Sequence, residues 1–522
     1  MLSYILKIFK YTLKSFRFIY LKFYYKIFRN FVGNISFPEC KDVSILPIKR
    51  KNIFKTKLSK WNVNGKLSYN YDPHSNYYIH SKLPFFLTRY NLVNFDIKFI
   101  WEISRFQHLN TSIDNEKEIF NEIRHFIKHN PVGFGPNWIS SMEVGIRLVN
   151  MSFLYISIRK RNSVIENFLK ESFLFIYKNL ENHKKFKGNH YMSNLCSLIC
   201  FGSFVEVNKY NSKILKFALT DLLKEIEVQF NEDGSYYENS TYYHFFVTEM
   251  ILQTLIVLSN NKSEKLKRLL KNTFGFNTVS EIPVIKEALN KAIKFSNSIS
   301  LNGLFPFIGD LDSGRFIFQN NKFDLNQLFY KIYNEKIVDS NSNIEISQSN
   351  CIVNHVSFEH KYNYNTFSYK YFKNFGLFVV KNDKLLFTIR TNYCNKKLVH
   401  AHEDIGSVYL IDSNQILLCD PGVKNYNRSL YDRNKFRFAE SHNNQISNLN
   451  SFDLPKFEFK IIGDYIFNFE VNKIGIKINL VSKVDNKTYT REVQINNTSI
   501  QIVDRPYFNN LKLPNEYFNE YN

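Results

Sequence analysis

Two histidines and two acids crowd five positions, His400 to Asp404, in the stretch "LVHAHEDIGSVYLIDSNQILLCDPG" (398–422). Imidazole and carboxylate groups exchange protons and hold divalent metals, so the stretch suits a metal site, a catalytic base or both; a solvated turn is the plain alternative. The His-x-His spacing suits chelation, because alternation along an extended chain sends residues two apart to one face. On that pattern Glu403 points to the opposite face and Asp404 returns to the histidine side. The run that follows reads as a hairpin whose "DSNQ" turn brings Asp420 back towards His402. His442, in "AESHNN" (439–444), is a third candidate. A His/Asp/His set suits zinc, with ligand atoms at about 2.0–2.2 Å, whereas calcium prefers oxygen ligands throughout and fits less well.

Three further clusters carry reactive groups. "KGNHYMSN" (187–194) places Asn189 and His190 at a helix start, where an asparagine also serves as a simple cap. "DGSYYENSTYYHFF" (233–246) crowds acids and tyrosines, Tyr242 and Tyr243 among them, at a second helix start. "GDLDSGR" (309–315) holds Asp310, Asp312 and Arg315 in a short loop.

The elements that must position these groups change period along the chain. From about residue 85 to 340 the pattern is helical: "NWISSMEVGIRLVNMSFLYISI" (137–158) repeats apolar residues at Trp138, Met142, Ile146, Val149 and Phe153. Similar stretches follow around 164–180, 189–206, 213–230, 241–259 and 283–299, without heptads, which predicts a helical array or toroid. After about 350, "GLFVVKNDKLLFTIR", "VYLIDSNQILLCD", "IGIKINLV" and "REVQINNTSIQIV" alternate as strands joined by polar turns. Strands in succession without intervening helices predict an antiparallel, sandwich-like domain. The Asn/Ser-rich "DSNSNIEISQSN" (339–350) reads as the linker, and a chain of 522 residues exceeds a single core.

Composition narrows the partner. Hydrophobic residues at 44% and aromatics at 17% sustain packed cores, which excludes a largely disordered chain. Lys+Arg of 69 against Asp+Glu of 47 gives a formal charge of +22, favouring an acidic polysaccharide, a membrane surface or nucleic acid. The cations are dispersed and no nucleic-acid module is recognisable, so nucleic acid is set aside. The six cysteines (40, 196, 200, 351, 394, 419) form no Cys-x-x-Cys pair or disulfide framework, and Cys196 and Cys200, one helical turn apart, read as core thiols. The start, "MLSYILKIFKYTLKSFRFIYLKFYYKIFRNFV", has no acid and a cation every three or four residues. That interrupts any signal or membrane-spanning run, leaving an amphipathic helix that lies on a membrane or packs on its own domain. Compartment and oligomeric state stay open.

The ordered set "DIKFIWEISRFQHL" (96–109), "NWISSMEVGIRLVNM" (137–151), "GNHYMSN" (188–194), "DGSYYENSTYYH" (233–244), "GDLDSGR" (309–315) and "HAHEDIGSVYL…DPG" (400–422) resembles the heparinase II/III-like family of bacterial polysaccharide lyases over roughly residues 85–445. The resemblance implies an N-terminal incomplete (α/α) toroid followed by a C-terminal antiparallel β-sandwich. With the period change it divides the chain into a basic aromatic lead-in (1–84), a toroid (85–345) and a sandwich (346–522). It implies β-elimination on a uronic-acid-containing polysaccharide, leaving a 4,5-unsaturated uronate. Asn189 and His190 then neutralise the substrate carboxylate, as donors that add no competing anion. Tyr243 and His400 become the acid/base pair, Tyr243 the leaving-group acid and either one the base, with Tyr242 the alternative to its neighbour. His402, Asp420 and His442 are implied as the ligands of a zinc ion that organises the structure or the site. Glu143 and Arg147, four apart on one helix, are a groove pair or a helix-surface salt bridge, with Arg147 a candidate carboxylate binder. Asp310 and Asp312 organise the cleft, and Arg315 is a candidate for holding substrate. Asp404 is left as a loop carboxylate and Glu403 as solvent-facing.

The basic aromatic start resembles that of members associated with surface-polysaccharide clusters, which suggests a bacterial role in capsule or O-antigen metabolism, in the cytoplasm, at the cell envelope or in the periplasm. Two other classes compete. One is a catalytically idle glycan-binding or assembly protein of the envelope, which has no need of Asn189, His190, Tyr243 and His400 together. The other is a metal-dependent glycan hydrolase built on His400, His402 and Asp404, which leaves the other clusters unexplained.

Overall fold

The computed structural model describes Ile35, Phe37 and residues 61–63, 66–88, 95–111, 116–158, 161–182, 187–311, 314–317, 323–337, 342–345, 356–359, 366–392, 399–423, 430–443, 464–473, 475–484 and 487–505. The basic N-terminal run and Asp312 lie outside the described residues, as do Cys40, Cys351 and Cys394. Helices dominate the first part: α1 (Ile97–Ser104), α2 (Glu116–His129), α3 (Ser141–Ile158), α4 (Ser163–Lys178), α5 (Asn189–Phe204), α6 (Asn211–Gln229), α7 (Thr241–Ser259), α8 (Glu264–Phe274), α9 (Pro283–Ser298) and α10 (Leu325–Tyr333). They are preceded by two short strand pairs, β1 (Asn62–Val63) with β2 (Lys66–Leu67) and β3 (Tyr71–Asp72) with β4 (Tyr77–Tyr78).

The later part is antiparallel sheet. β5 (Ser342–Glu345), β7 (Thr366–Phe372), β8 (Leu377–Lys381), β9 (Leu385–Arg390), β10 (Val408–Asp412) and β11 (Gln415–Leu418) form a six-stranded sheet in the order β11-β10-β9-β8-β7-β5. β6 (Val356–Glu359), β12 (Asp464–Asn472), β13 (Gly475–Val484), β14 (Lys487–Ile495) and β15 (Ser499–Arg505) form a five-stranded sheet in the order β12-β13-β14-β15-β6. A short helix, α11 (Leu430–Lys435), lies between β11 and β12 in the chain. The helix-then-strand order matches the change of period. The stretch expected as a bare linker contains β5, which pairs with β7 from Ser342↔Tyr369 to Glu345↔Thr366.

Chain contacts divide the protein into two units. One comprises residues 1–223, 253–282 and 316–321; the other comprises 224–252, 283–315 and 322–522. In the first, α3 is buried along nearly its whole circumference and packs on α4 and α5. Gly145 permits the approach to α5, since a Cβ there would lie 2.4 Å from Ser197 Oγ. Cys196 and Cys200 are buried free thiols on α5, as their spacing predicted, and burial pushes Cys196 up to about 12.

The second unit has one apolar core fed by both large sheets: Phe378, Val380, Phe387, Ile389 and Leu410 from one, Ile476, Ile478, Val493 and Ile502 from the other. Burying such a set supplies on the order of 1.5–3 kcal/mol per large side chain. β9 and β10 are buried at every position, so their sheet is covered on its other face too. There Phe295 of α9 meets Phe372 and Phe375 with ring centroids 4.7 and 5.1 Å apart. The β10–β11 turn places Ser413 and Asn414 at φ 51° and 68°, the left-handed pair that a two-residue hairpin of matching twist requires. Among the described residues no helix is long and apolar enough to cross a membrane.

Candidate active site

The second unit builds its polar cluster from four segments. Thr241 opens α7, and Ser240 caps it, its Oγ accepting from Tyr243 N at 3.2 Å. Thr241 N donates to Ile308 O at 3.0 Å, Thr241 Oγ1 donates to Pro306 O at 2.6 Å, and Ser240 Oγ donates to Asp310 O at 2.6 Å. The loop 306–310 is therefore strapped to the start of the helix that carries Tyr243. Asp310 N in turn donates to His400 O at 2.9 Å, which fixes the third segment.

His400 and Tyr243 meet face to face, ring centroids 4.0 Å apart and planes 18° from parallel. The imidazole Nδ1 sits 2.8 Å from Asp310 Oδ2, and its Nε2 is 3.8 Å from Glu238 Oε2, beyond hydrogen-bond reach. His400 keeps 12% of its side-chain surface exposed, while Asp310 and Glu238 are fully buried. Asp310 also receives His402 Nε2 at 3.1 Å on Oδ1 and Arg433 Nη2 at 2.5 Å on Oδ2. Burial favours the neutral acid, but Arg433 and the two histidines outweigh it and hold the Asp310 carboxyl well below the usual carboxylate range.

His402, Asp420 and His442 are all buried, and one ligand atom from each lies within 4.8 Å of the others. Asp420 arrives through the β10–β11 hairpin, and its Oδ1 accepts from Gly422 N at 3.0 Å. His442 is held by its neighbour Asn443, whose amide donates to Cys419 O at 2.9 Å and Val408 O at 3.2 Å. Burial draws the His402 pKa down despite Asp310; at His442 burial is outweighed by Asp420, whose Oδ2 is 2.9 Å from Nδ1, and the pKa lies above the usual value. His442 Nε2 is buried with no hydrogen-bond partner among the described residues. An orphaned imidazole nitrogen beside a second histidine and a carboxylate is the donor set that a zinc ion takes, so the residues fit the metal.

Two expectations for this stretch change. Strand alternation does not align the histidines: residues 399–407 precede β10 and are not strand, and His400 has φ 61°. Their rings converge on one carboxylate through loop geometry instead. Glu403 is half-buried rather than solvent-facing; its Oε2 accepts from Ala439 N at 3.2 Å, and its Oε1 is buried. Asp404 is fully buried 3.3 Å from Arg390 Nε.

The other candidates fall into two sets. In the first unit, Asn189 is buried at the first position of α5, and His190 is the exposed exception on a helix otherwise buried throughout, with 48% of its side chain accessible. His190 Nδ1 is 3.0 Å from Glu181 Oε1. Gly188, the N-cap, has no side chain to cap the helix, and a helix N-terminus attracts anions. Glu143 does not form the surface pair with Arg147 that their spacing suggested. Arg105 grips it in a fork, Nε to Oε2 and Nη2 to Oε1 both at 2.7 Å. Arg147 is buried between the rings of Phe126 and Trp138 and donates to Asn137 O at 2.8 Å. In the second unit, Arg315 is buried against Glu249, Nε to Oε2 at 2.7 Å with a second contact from Nη2 to Oε1, and lies over the Phe323 ring at 4.0 Å. Tyr242 is buried too, its hydroxyl donating to Gly314 O at 2.9 Å. These contacts give Glu143, Arg147, Arg315 and Tyr242 structural work.

Residues 99–273 match the family model described as Heparinase II/III N-terminus. That segment is similar to the N-terminal part of heparinase II/III. Among solved structures the chain is similar to heparinase III, with a TM-score of 0.54 and 13% identity, covering 90% of this chain and 74% of that one. It is also similar to a heparan sulfate lyase HepC mutant from Pedobacter heparinus, with a TM-score of 0.48 and 14% identity, covering 91% of this chain and 72% of that one. No curated protein matches it by sequence. Two members of the cluster had no advance signal of their role. Glu238 lies inside the Tyr-rich stretch 233–246, separated from α7 by Asn239, at φ 60°, and Ser240. Arg433 stands in "YDRNKFRF", where nothing but basic density marks it.

Proposed function

We propose that this chain is a polysaccharide lyase that cleaves a uronic-acid-containing polymer by β-elimination. The observation that carries the reading is the stacked Tyr243–His400 pair, with His400 Nδ1 held by Asp310. A phenol and an imidazole in contact supply one group to take the C5 proton and one to protonate the departing O4 oxygen. The electron pair of the C5–H bond becomes the C4=C5 double bond as the C4–O4 bond breaks, and O4 leaves with a proton. Tyr243 is assigned the leaving-group acid, and either ring serves as base according to the C5 stereochemistry. Asn189 and His190 are assigned to the substrate carboxylate, whose neutralisation acidifies the C5 proton; their place at an uncapped helix N-terminus supports this.

His402, Asp420 and His442 would hold a zinc ion, which when bound supplies positive charge and ties their three segments together. The helical array is read as an incomplete (α/α) toroid, and the two sheets with their common core as a β-sandwich. The +22 charge supports an acidic polymer, and the basic start supports peripheral membrane contact within surface-polysaccharide metabolism.

The test is incubation with a panel of uronic-acid polymers, following the ultraviolet absorbance of the unsaturated uronate. Product absorbance supports the lyase. New reducing ends without it would mean hydrolysis, and neither signal on a polymer the protein binds would mean an idle binder.

A further inference from the structure

We propose that Asp310 is a positioning residue that fixes the tautomers of two rings at once, directing His400 to present Nε2 as its basic nitrogen and His402 to present Nδ1 to the metal. Its two oxygens divide the rings between them: Oδ2 lies 2.8 Å from His400 Nδ1, and Oδ1 lies 3.1 Å from His402 Nε2. A carboxylate paired with Arg433 accepts hydrogen bonds, so each facing nitrogen carries the hydrogen and the opposite nitrogen of each ring carries the lone pair. The two histidines, two residues apart in sequence, thus use opposite nitrogens.

The backbone is built to hold this carboxylate in place. Asp310 N donates to His400 O at 2.9 Å, and Asp310 O accepts from Ser240 Oγ at 2.6 Å. Gly309 precedes it at φ 75°, where a Cβ would come within 2.5 Å of Asn239 O and 2.6 Å of His400 O. Any side chain there would push Asp310 away from both rings. The role of His400 rests on the lyase reading; the tautomers and the metal affinity are measurable without it.

The experiment uses the zinc-loaded full chain with 15N-labelled histidine, the two signals assigned with His400→Gln and His402→Gln. The expected spectrum has His400 as the Nδ1–H tautomer and His402 as Nε2–H with zinc on Nδ1. In Asp310→Asn, the His400 signal should become a mixture of tautomers, and zinc affinity by chelator competition should fall roughly 10–100-fold, as loss of a ligand's supporting carboxylate does. On a cleaved polymer kcat should fall with KM nearly unchanged. The proposal is overturned by a wild-type His400 in the Nε2–H form, or by an Asp310→Asn protein with unaltered tautomers and zinc affinity. If that variant does not fold, the wild-type spectrum decides. If tautomers and affinity behave as expected but no uronate polymer is cleaved, Asp310 keeps its assignment and the lyase reading fails.

Discussion

Glu143 in the first unit and Asp310 in the second are both buried carboxylates facing arginine, and they are arranged for different work. Glu143 meets one guanidinium fork-to-fork at 2.7 Å on each oxygen, and the same Arg105 also reaches Glu102 at 2.8 Å. Such a pair fixes helix against helix and leaves little to react. Asp310 divides two oxygens among His400 and His402 from one loop and Arg433 from α11, and one of those rings retains exposed surface. The difference teaches where chemistry lives in this chain. Matched charge closes a buried site, whereas one carboxylate shared among titratable rings orients groups that face outward.

The largest effect should come from the open network. His400→Ala and Tyr243→Phe should each lower kcat by at least the ~10²–10⁴-fold that a proton-transfer group contributes, with melting temperature nearly unchanged. Turnover within tenfold of wild type in either variant would remove that residue from the acid/base pair. The closed pairs should behave the opposite way. Glu143→Gln or Arg315→Met leaves a buried partner charge uncompensated and should cost about 3–5 kcal/mol in denaturant unfolding, with kcat per folded molecule intact. A rise in KM at unchanged stability for Arg315→Met would instead return Arg315 to the substrate.

The metal cluster stands between these cases. Chelator treatment should lower the unfolding free energy of wild type by about 2.7 kcal/mol if zinc is otherwise present at a hundred times its dissociation constant. His402→Ala should show lower stability and activity and no further loss with chelator. A fully stable, active His402→Ala protein would sink the metal assignment.

The parts of this arrangement differ in how legibly the sequence carries them. The hairpin that returns Asp420 was readable because "DSN" is a run of turn-forming residue types, with Asn414 one that tolerates positive φ. The helix-to-strand change was readable because the period of apolar residues is a local property. The convergence of His400 and His402 was expected for the wrong reason, since a loop with His400 at φ 61° does what strand alternation was expected to do. Arg433 was illegible because it reaches Asp310 across 123 residues without any local pattern. Glu143 misled for the same reason: the i,i+4 neighbour was visible in sequence, while its actual partner, Arg105, is 38 residues away.

The smallest effect sharpens the comparison most finely, because it contrasts two histidines that flank one tyrosine in different senses. His400 stacks on Tyr243 in the open network, whereas His244, which follows Tyr243 in sequence, is fully buried, with Nε2 3.1 Å from Ala292 O and 2.8 Å from Ser296 Oγ and its ring against Phe295 at 4.6 Å. Burial is the main cause that draws its pKa down to about 3, with the Ala292 carbonyl opposing. The folded value lies below the unfolded one of about 6.5, so between them the unfolded chain binds the extra proton and stability rises with pH. His244 therefore contributes its full share above about pH 6.5 and loses about 1.4 kcal/mol per pH unit as the medium is acidified towards pH 3. Between pH 7.5 and 5.5, wild type should lose about 1.4 kcal/mol more unfolding free energy than His244→Gln, which keeps a donor but cannot titrate. Equal losses in the two proteins would mean that His244 takes a proton in place, and the closed half of the comparison would fail at the residue nearest the reactive tyrosine.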